Sequence, residues 1–451
     1  MNDVVYSIIQ KIHLEGTKRL DAEYFQPEYL MLENNIKKVL SQKLETVADV
    51  NGGKRLPLEE TFSDVGVPYV RVVDLYGTFI DFDHIKFIPE RLHQKLKQYQ
   101  IKEKDSLVTI VGNTVGLIGY NQLQLNKFNF TENCARVRAK SVLPEYLLAV
   151  LLSRIGQLQV SRERVGTAQP KLSLDRLRNF FIPIADEGLQ SIISNIVKTS
   201  LELYQNSKFI YSQAEKLLVE DLGFKNLEPA NELWSVVNLS EVQGVNRFDA
   251  EYFNSPCNKM LEQIIKSKSA KLGDLVEMTK GVEPGADVYQ DDGKLFIRVS
   301  SISKDGLIGK TQKYISEELY DEYKSDYQPQ VGEILLTKDA SPGMACTVRE
   351  PAEGIISSGV MRLEIKEKMN PEYLALVLNS IVGQLQAQRD AGGSIIAHWK
   401  PEQIKNLVVP ILPVSAQEKI ADLIVKSHQA RKKAKELLDE AKLKVEEMIE
   451  R

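Results

Sequence analysis

The residues whose types are best suited to catalysis or cation binding lie in a heptapeptide that the chain contains twice. It reads RLDAEYF at Arg19–Phe25 and RFDAEYF at Arg247–Phe253, so six of seven letters match at an offset of 228. Each copy places an aspartate two positions before a glutamate, and such carboxylates can act as general acid and base or bind a cation. The sequence around them supports neither role, because none of the five histidines recurs in both copies.

Signatures of nucleotide, cofactor and zinc chemistry are also missing. The sequence holds no G-x-x-x-x-G-K-[ST] phosphate loop, no G-x-G-x-x-G after a predicted strand and no H-E-x-x-H. NPEY at Asn370–Tyr373 resembles the N-P-P-[YF] motif of amino-methyltransferases, but the other copy reads LPEY at Leu143–Tyr146. An amide that binds the target amine would not be replaced by leucine, so we interpret both segments as helix N-termini. We therefore predict no catalytic, cofactor or metal residues in this chain.

Composition is that of an ordinary globular protein. The 451 residues predict two to four domains, and the net charge of −4 excludes a globally basic surface. Residues 19–183 carry four more Lys and Arg than Asp and Glu, whereas residues 247–410 carry four fewer. A nucleic-acid partner would therefore have to be held by local patches. Without a CxxC pair, a long apolar run or a signal-peptide pattern, we expect a cytoplasmic protein and no membrane.

The heptapeptide belongs to a longer internal repeat. Other segments recur in the same order at offsets of 227 or 228, including PEYLLAVLLSRIGQLQ from Pro144 and PEYLALVLNSIVGQLQ from Pro371. Smaller matches place Gly53 over Gly281 and Arg71 over Arg298. Collinear matches of this number do not arise by chance, so the chain holds two copies of a unit of about 225 residues. A period of this length indicates a domain with an appendage rather than a solenoid.

Each copy predicts an α/β domain followed by a long helix. Segments rich in branched and aromatic residues, such as VPYVRVVDL and KLFIRVSSI, alternate with glycine, aspartate and proline turns and indicate strands. The closing helices carry apolar or small residues at a spacing of three and four, which predicts a heptad seam. The first seam comprises Ile193, Ile196, Ser200, Leu203, Ser207, Ile210, Ala214 and Leu217, and the second comprises Ile420, Leu423, Ile424, Ser427, Ala430, Ala434, Leu437, Ala441, Val445 and Met448. Small seam residues favour pairing of the two helices about a pseudo-two-fold axis; the alternative is that each helix folds back on its own domain.

These features together resemble the specificity subunit of a type I restriction–modification system. The resemblance covers essentially the whole chain: two variable units, each opened by the RLDAEYF-type motif and closed by a Pro-Ile pair and a long helix. GEILLTKD from Gly332 and VPILPVSAQEKIADLI from Val409 add to it. The first copy departs from the pattern, with DSLVTIVG from Asp105 and IPIADEGLQSII from Ile182.

The resemblance implies a non-catalytic DNA-binding subunit. Its fold class would be an α/β (α+β) multidomain protein, with two target recognition domains in pseudo-two-fold repeat joined by two long antiparallel helices that form a coiled coil. Each domain would read one half of a bipartite double-stranded DNA site. The expected partners are two methyltransferase subunits docked largely on the helices and two restriction subunits. S-adenosylmethionine, ATP and magnesium would serve those partners and not this chain.

The expected boundaries and contacts follow from this interpretation. We predict recognition domain 1 at residues 1–183, a spacer helix at 184–223, a linker at 224–246, recognition domain 2 at 247–410 and a C-terminal spacer helix at 411–451. DNA contacts are expected from polar side chains near glycine turns and in loops that differ between the copies. The candidates are Lys54, Arg55, Arg71, Asn113, Thr114, Arg162, Arg164, Gln169 and Lys171 in the first copy, and Lys280, Arg298, Lys338, Ser341, Arg389, Ser394, His398 and Lys400 in the second.

Several alternatives stay open at this point. Arg71 and Arg298, which we place within strands, could hold a phosphate or form a buried ion pair, and Trp399 could stack on a base or pack in the core. The chain could instead be the recognition region of a fused restriction–methylation enzyme, or a tandem-repeat scaffold without a DNA role. The heptapeptide itself we interpret as a structural joint, in which Arg19 and Arg247 pair locally and the Tyr-Phe pairs pack.

Overall fold

The computed structural model describes residues 6–12, 14, 19–82, 85–122, 128–224, 236–245, 247–249, 252–253, 255–307, 312–366, 368–392 and 397–450. The chain divides into unit 1, which comprises Met1–Tyr204 with Lys432–Arg451, and unit 2, which comprises Gln205–Arg431. Residues 225–235 and 246 of the predicted linker lie outside the described residues. Within the described ranges, no helix combines the length and the apolar character needed to cross a membrane.

The described residues of unit 1 form three sheets. Its strands are β1 Ser41–Lys43, β2 Ala48–Gly52, β3 Val67–Val70, β4 Leu75–Tyr76, β5 Phe79–Ile80, β6 Lys86–Ile88, β7 Gln100–Ile101, β8 Ser106–Thr109, β9 Ile118–Tyr120, β10 Phe128–Phe130, β11 Cys134–Ala139 and β12 Phe181–Pro183. Its helices are α1 Pro27–Lys38, α2 Leu44–Val47, α3 Glu90–Lys95, α4 Pro144–Leu152, α5 Arg154–Glu163 and α6 Leu174–Arg178, and α7 Glu187–Asp221 begins there. The strand orders are β2-β11-β8-β9-β5-β4, β6-β3-β10-β7 and β1-β12.

Unit 2 repeats this plan. Its strands are β13 Ser269–Lys271, β14 Val276–Lys280, β15 Lys294–Ile297, β16 Ile302–Ser303, β17 Gly306–Leu307, β18 Lys313–Ile315, β19 Ile334–Thr337, β20 Ala345–Thr347, β21 Gly354–Ile356, β22 Val360–Ile365 and β23 Val408–Pro410. Its helices are α8 Leu239–Val245, α9 Ser255–Ile265, α10 Leu272–Leu275, α11 Glu317–Tyr327, α12 Pro371–Asn379, α13 Ile381–Asp390 and α14 Pro401–Lys405, and α15 Val414–Glu450 begins there. The order β14-β22-β19-β20 matches the first four strands of the six-stranded sheet of unit 1, β18-β15-β21 matches the first three of the four-stranded sheet, and β13-β23 matches β1-β12. Strands β16 and β17 form a separate pair.

The PEYL segments open helices in both units, as the sequence predicts. The side chain of Asn370 accepts hydrogen bonds from the backbone N–H of Glu372 and Tyr373 at the start of α12. Leu143 precedes α4 without a side-chain cap. Both helices start with proline, which suits the first helical turn because that N–H has no partner within the helix. The methyltransferase-like motif is therefore a helix start.

The GQLQ sequences pack α5 and α13 closely against their units. A Cβ on Gly156 would lie 2.3 Å from the carbonyl oxygen of Leu151, and one on Gly383 would lie 2.1 Å from that of Leu378. Only glycine tolerates this approach. The last residue of the GQLQ sequence in unit 1 is Gln159. Its side chain accepts a hydrogen bond from the backbone N–H of Phe181 at 2.7 Å and donates one to the carbonyl of Phe181 at 3.0 Å.

The two long helices pair in antiparallel fashion. In unit 1 the hydroxyl of Ser200 on α7 donates to the carbonyl of Ala434 on α15, at 2.6 Å. In unit 2 the hydroxyl of Ser427 on α15 donates to the carbonyl of Ser207 on α7, at 2.7 Å. The predicted seam positions are buried or half-buried throughout. The pairing is confirmed, because neither helix packs only on its own domain.

Candidate nucleic-acid interface

The described residues of the repeated heptapeptide make the same contacts in both units. In unit 1 the guanidinium of Arg19 bonds both carboxylate oxygens of Asp21, at 2.7 and 2.6 Å, and Asp21 accepts from the backbone N–H of Tyr24. In unit 2, Arg247 and Asp249 make the same pair at 2.7 Å for each bond. The Arg19 hydrogen bond lowers the pKa of Asp21, although burial opposes the shift. The predicted local pairing is confirmed.

A second arginine completes each joint. Arg162 stacks over the Tyr24 ring at 4.3 Å, and its guanidinium also donates to the Tyr24 carbonyl and to Glu33. Arg389 lies over the corresponding Tyr252 at 5.0 Å and bonds Asp390 at 2.7 Å. Both arginines are predicted DNA contacts. The structure places them inside the joints, where their charges and donors already have partners within the unit.

Two predicted DNA-contact loops of unit 1 lie side by side. Asn113 and Thr114 are exposed in the turn after β8, and the backbone N–H of Gly112 in this turn donates to the carbonyl of Pro170 at 2.9 Å. A β-bridge joins Val111 to Lys171. The turn therefore meets the loop that carries Gln169 and Lys171, so four candidates from separate segments share one surface. Arg164 is exposed just before that loop.

The equivalent loops of unit 2 meet in the same way. The backbone N–H of Ala340 donates to the carbonyl of Ala397 at 2.9 Å, and a β-bridge joins Asp339 to His398. Ala340 has a φ of +59°, an unusual value for a residue with a Cβ, at the position where unit 1 has Gly112. The exposed Ser341 lies on this turn.

Asp339 organises the basic side chains of this loop. Lys338 bonds it at 2.6 Å and the Nδ1 atom of His398 lies 2.8 Å from it. Burial of Asp339 opposes ionisation, but these two hydrogen bonds outweigh it and lower its pKa. Trp399 is 1% exposed, which confirms core packing. The candidates Lys280 and Lys400 are exposed, and Ser394 lies outside the described residues.

Arg71 and Arg298 occupy equivalent places beside an aromatic ring. Each lies just after a strand and starts a short 3-10 helix, Val72–Asp74 or Val299–Ser301, so their predicted position within strands is wrong. Arg71 bonds both oxygens of Asp74 at 3.0 and 2.7 Å, and Asp74 is buried. The ion-pair interpretation is therefore confirmed for Arg71.

Unit 2 replaces that carboxylate by a hydroxyl. Ser301 stands where unit 1 has Asp74, and its hydroxyl accepts from the backbone N–H of Arg298 at 3.3 Å. The guanidinium carbon lies 5.8 Å from the ring centroid of Phe62 in unit 1 and of Tyr289 in unit 2.

Paired glycines fix one further position in both units. Gly53 donates to the carbonyl of Cys134 and Gly281 to that of Val360, both at 3.1 Å. A Cβ on Gly53 would lie 2.1 Å from a backbone oxygen, and one on Gly281 would lie 2.3 Å from one. Only glycine therefore fits at these two positions. The backbone of the next residues therefore follows the same path in both units.

Two residues beyond these glycines the units differ in charge. Unit 1 has Arg55, whose Nε lies 2.5 Å from a carboxylate oxygen of Glu132. Unit 2 has Glu283, which accepts from the hydroxyl of Ser358 at 2.6 Å. The sequence analysis names Lys54 and Arg55 in unit 1 and Lys280 in unit 2 but not Glu283, because it looks for basic residues at this point. Counting two residues from each aligned glycine would have found it.

Glu283 belongs to a cleft in unit 2. The cleft has a volume of about 540 Å³, and Glu283, Tyr289, Arg298, Ser341 and Ser357 are among its lining residues. It thus joins two predicted candidates, Arg298 and Ser341, from segments distant in sequence. The lining offers both hydrogen-bond donors and acceptors, as a surface that reads base edges requires. Among the described residues, no three His, Cys, Asp or Glu side chains are grouped to hold a metal ion.

Comparison with known proteins adds a family match. The model of the type I restriction modification DNA specificity domain matches residues 37–215 and 265–438. The type I restriction enzyme EcoBI specificity subunit of Escherichia coli is 29% identical over 121 residues, which are 26% of this chain and 25% of the relative. The chain thus matches about a quarter of the length of that curated relative.

Similar solved structures cover most of the chain. The type I restriction–modification S subunit from M. genitalium has a TM-score of 0.42 at 12% identity, with 91% of this chain and 94% of that chain covered. The HsdS subunit from Thermoanaerobacter tengcongensis has a TM-score of 0.30 at 15% identity, with 90% and 95% covered.

Proposed function

The chain belongs to the family of type I restriction modification DNA specificity domains, and we propose that it is the DNA-reading subunit of a restriction–modification complex. Each unit binds one half of a bipartite site in double-stranded DNA. The paired helices α7 and α15 set the gap between the half-sites and dock two methyltransferase subunits, and two restriction subunits complete the complex.

One observation carries the DNA-reading role. The two units share a scaffold down to single hydrogen bonds, yet their equivalent loops carry different polar side chains. Asn113 and Thr114 follow Gly112 in unit 1, whereas Ser341 follows Ala340 in unit 2. A shared backbone scaffold whose loops carry different side chains suits two recognition elements that bind DNA in the same way and read different bases.

Chemistry in the complex belongs to the partners on this proposal. S-adenosylmethionine is the methyl donor of the methyltransferase subunits, and ATP with magnesium serves the restriction subunits. The net charge of −4 limits neutralisation of phosphates by the free chain. We therefore expect its own DNA binding to be weak.

Methylation mapping tests the proposal. The chain is expressed with the methyltransferase subunit of its own system in cells without adenine methylation, and methylated bases are mapped by sequencing. We expect methylation at a single bipartite sequence with two different half-sites and a fixed gap, and none without this chain. Absence of site-specific methylation in the complex would overturn the proposal. Methyl transfer by the purified chain alone would instead favour a fused restriction–methylation enzyme.

A further inference from the structure

We propose that Glu283 and Arg55 are specificity-determining residues that read opposite hydrogen-bonding patterns on base edges, one in each half-site. Glu283 accepts a hydrogen bond from the exocyclic amine of a cytosine, and Arg55 donates to the acceptor edge of a guanine. The inference rests on the proposed function and adds which side chains discriminate and which bases they select.

The first support is positional equivalence. Both residues stand two positions beyond a glycine whose place is fixed by the same backbone hydrogen bond, 3.1 Å long in each unit. Each also contacts the residue at one equivalent point before the long central strand, Glu132 in unit 1 and Ser358 in unit 2. The same backbone thus presents a cation in one unit and a carboxylate in the other.

The second support is the setting of Glu283. It is exposed and lines the cleft together with Arg298 and Ser341. A carboxylate near DNA is repelled by the phosphates, so it adds no general affinity. The carboxylate contributes favourable binding free energy only where a base presents an N–H donor. Cytosine N4 is the donor that carboxylates read in the major groove. Ser358 occupies one acceptor position of this carboxylate, which has about four.

Arg55 has the complementary setting. Its side chain is 74% exposed, and its Nε bonds Glu132. Burial opposes ionisation of Glu132, but the hydrogen bond from Arg55 helps to lower its pKa, so this carboxylate stays charged and can orient the guanidinium. The two Nη groups carry the paired donors that match O6 and N7 of guanine. An exposed ion pair contributes little by itself, so it does not compete strongly with a base contact.

The test compares four full-length variants with the wild-type chain, each in complex with the methyltransferase subunit. Recognition sequences are mapped in cells, and binding is measured on duplex libraries randomised at every position. The variants are Glu283→Gln, Arg55→Gln, the conservative Arg55→Lys and the control Glu277→Gln. Glu277 is an exposed carboxylate of the same unit that pairs with Lys366 at 2.8 Å and does not line the cleft.

We expect Glu283→Gln to reduce discrimination at one base pair of one half-site about 5- to 100-fold and to admit adenine, which glutamine reads. Arg55→Gln should do the same at a guanine of the other half-site, and Arg55→Lys should keep that base with weaker preference. Glu277→Gln should leave the sequence unchanged.

Three outcomes separate this inference from the proposed function. An unchanged recognition sequence in both Gln variants, with a functional wild-type complex, overturns the inference alone. The same holds if both variants change the same half-site. A wild-type complex without any sequence preference overturns the proposed function, and this inference with it. Thermal unfolding of each variant complex checks that the exposed substitutions leave the fold intact.

Discussion

At the scale of single residues, Asp21 and Asp249 explain why the heptapeptide is written twice. Each aspartate pairs with an arginine two positions earlier and caps the turn that follows it. The glutamate two positions later makes no such contact in unit 1, where Glu23 is exposed. The two carboxylates that first suggested acid–base chemistry therefore differ in role: the aspartate stabilises the local structure, and Glu23 does not.

Asp21→Ala should destabilise unit 1 while Glu23→Ala should not. Loss of a capping side chain typically costs about 1–2 kcal/mol, and loss of the Arg19 partner adds to it. A surface change such as Glu23→Ala is expected to stay within about 0.5 kcal/mol. Thermal or denaturant unfolding of both variants measures the difference. Equal destabilisation would contradict the structural role, and so would loss of site-specific methylation in a stably folded Glu23→Ala variant.

Residue-level prediction from the sequence succeeded where two copies could be compared for likeness. The local pairing of Arg19 and Arg247 follows from residue type and repetition. It failed for Glu283, because the units differ there in charge and a search for basic residues passes over a carboxylate. The positions of Arg162 and Arg389 depend on tertiary contacts, each with a tyrosine distant in sequence, and no local sequence pattern predicts such contacts.

At the scale of elements, the seam of α7 and α15 was predictable and the environment of one half-buried histidine next to it was not. The three-and-four spacing predicts which faces meet, and small residues such as Ser207 and Ala441 are buried as expected. Strand pairing was harder to predict. The parallel contact of β10 with β3 joins segments about 60 residues apart and leaves no periodic signal. His428, which directly follows Ser427 in α15, lies edge-on to the Tyr211 ring at 6.5 Å, and its Nε2 is buried without a hydrogen-bond partner.

His428 should make unit 2 less stable as the pH falls. Burial, with a smaller effect of Arg349, lowers the pKa of His428 to about 3, against about 6.5 when unfolded. The unfolded chain therefore binds more protons between these values, and stability present above pH 6.5 is lost as the pH falls towards 3. The loss is on the order of 1 kcal/mol per pH unit in this window.

His428→Gln removes this titration and provides the comparison. Unfolding midpoints of both proteins are measured from pH 7.5 to 5, where most carboxylates of both are equally charged. The wild type should lose stability faster than the variant over this range. Parallel profiles would show that His428 is protonated in the folded chain or is already accessible to solvent.

At the scale of the whole molecule, the repeat builds the same scaffold twice, and we propose that each copy reads a different half-site. The division between the units falls after Tyr204 on α7 and after Arg431 on α15, so both long helices pass from one unit to the other. Helix α7 has 35 residues and is about 52 Å long at 1.5 Å per residue. Half-sites one turn of DNA apart are separated by roughly 34–36 Å between centres. Helices of this length are sufficient for a spacer between two short half-sites.

Inserting four residues into both helices at that division should lengthen the recognised gap. Four residues add about 6 Å along a helix and turn it about 40° beyond a full revolution. One base pair adds about 3.4 Å and about 35° of twist, so rise and rotation together favour a gap longer by one or two base pairs. An alanine in each insert continues the small-residue seam. The half-site sequences should stay unchanged, because the insertions do not touch the loops that we propose to read them.

A matched variant replaces four exposed residues in each of the same helix segments without changing their length, and methylation mapping compares all three complexes. The replacement variant should keep the original gap. An insertion in one helix alone should lower the unfolding midpoint, since it shifts seam residues such as Ser200 and Ala434 out of register. If the double insertion methylates sites with the original gap, the paired helices do not set the spacing, and the gap must instead be determined within the recognition units or by the methyltransferase subunits.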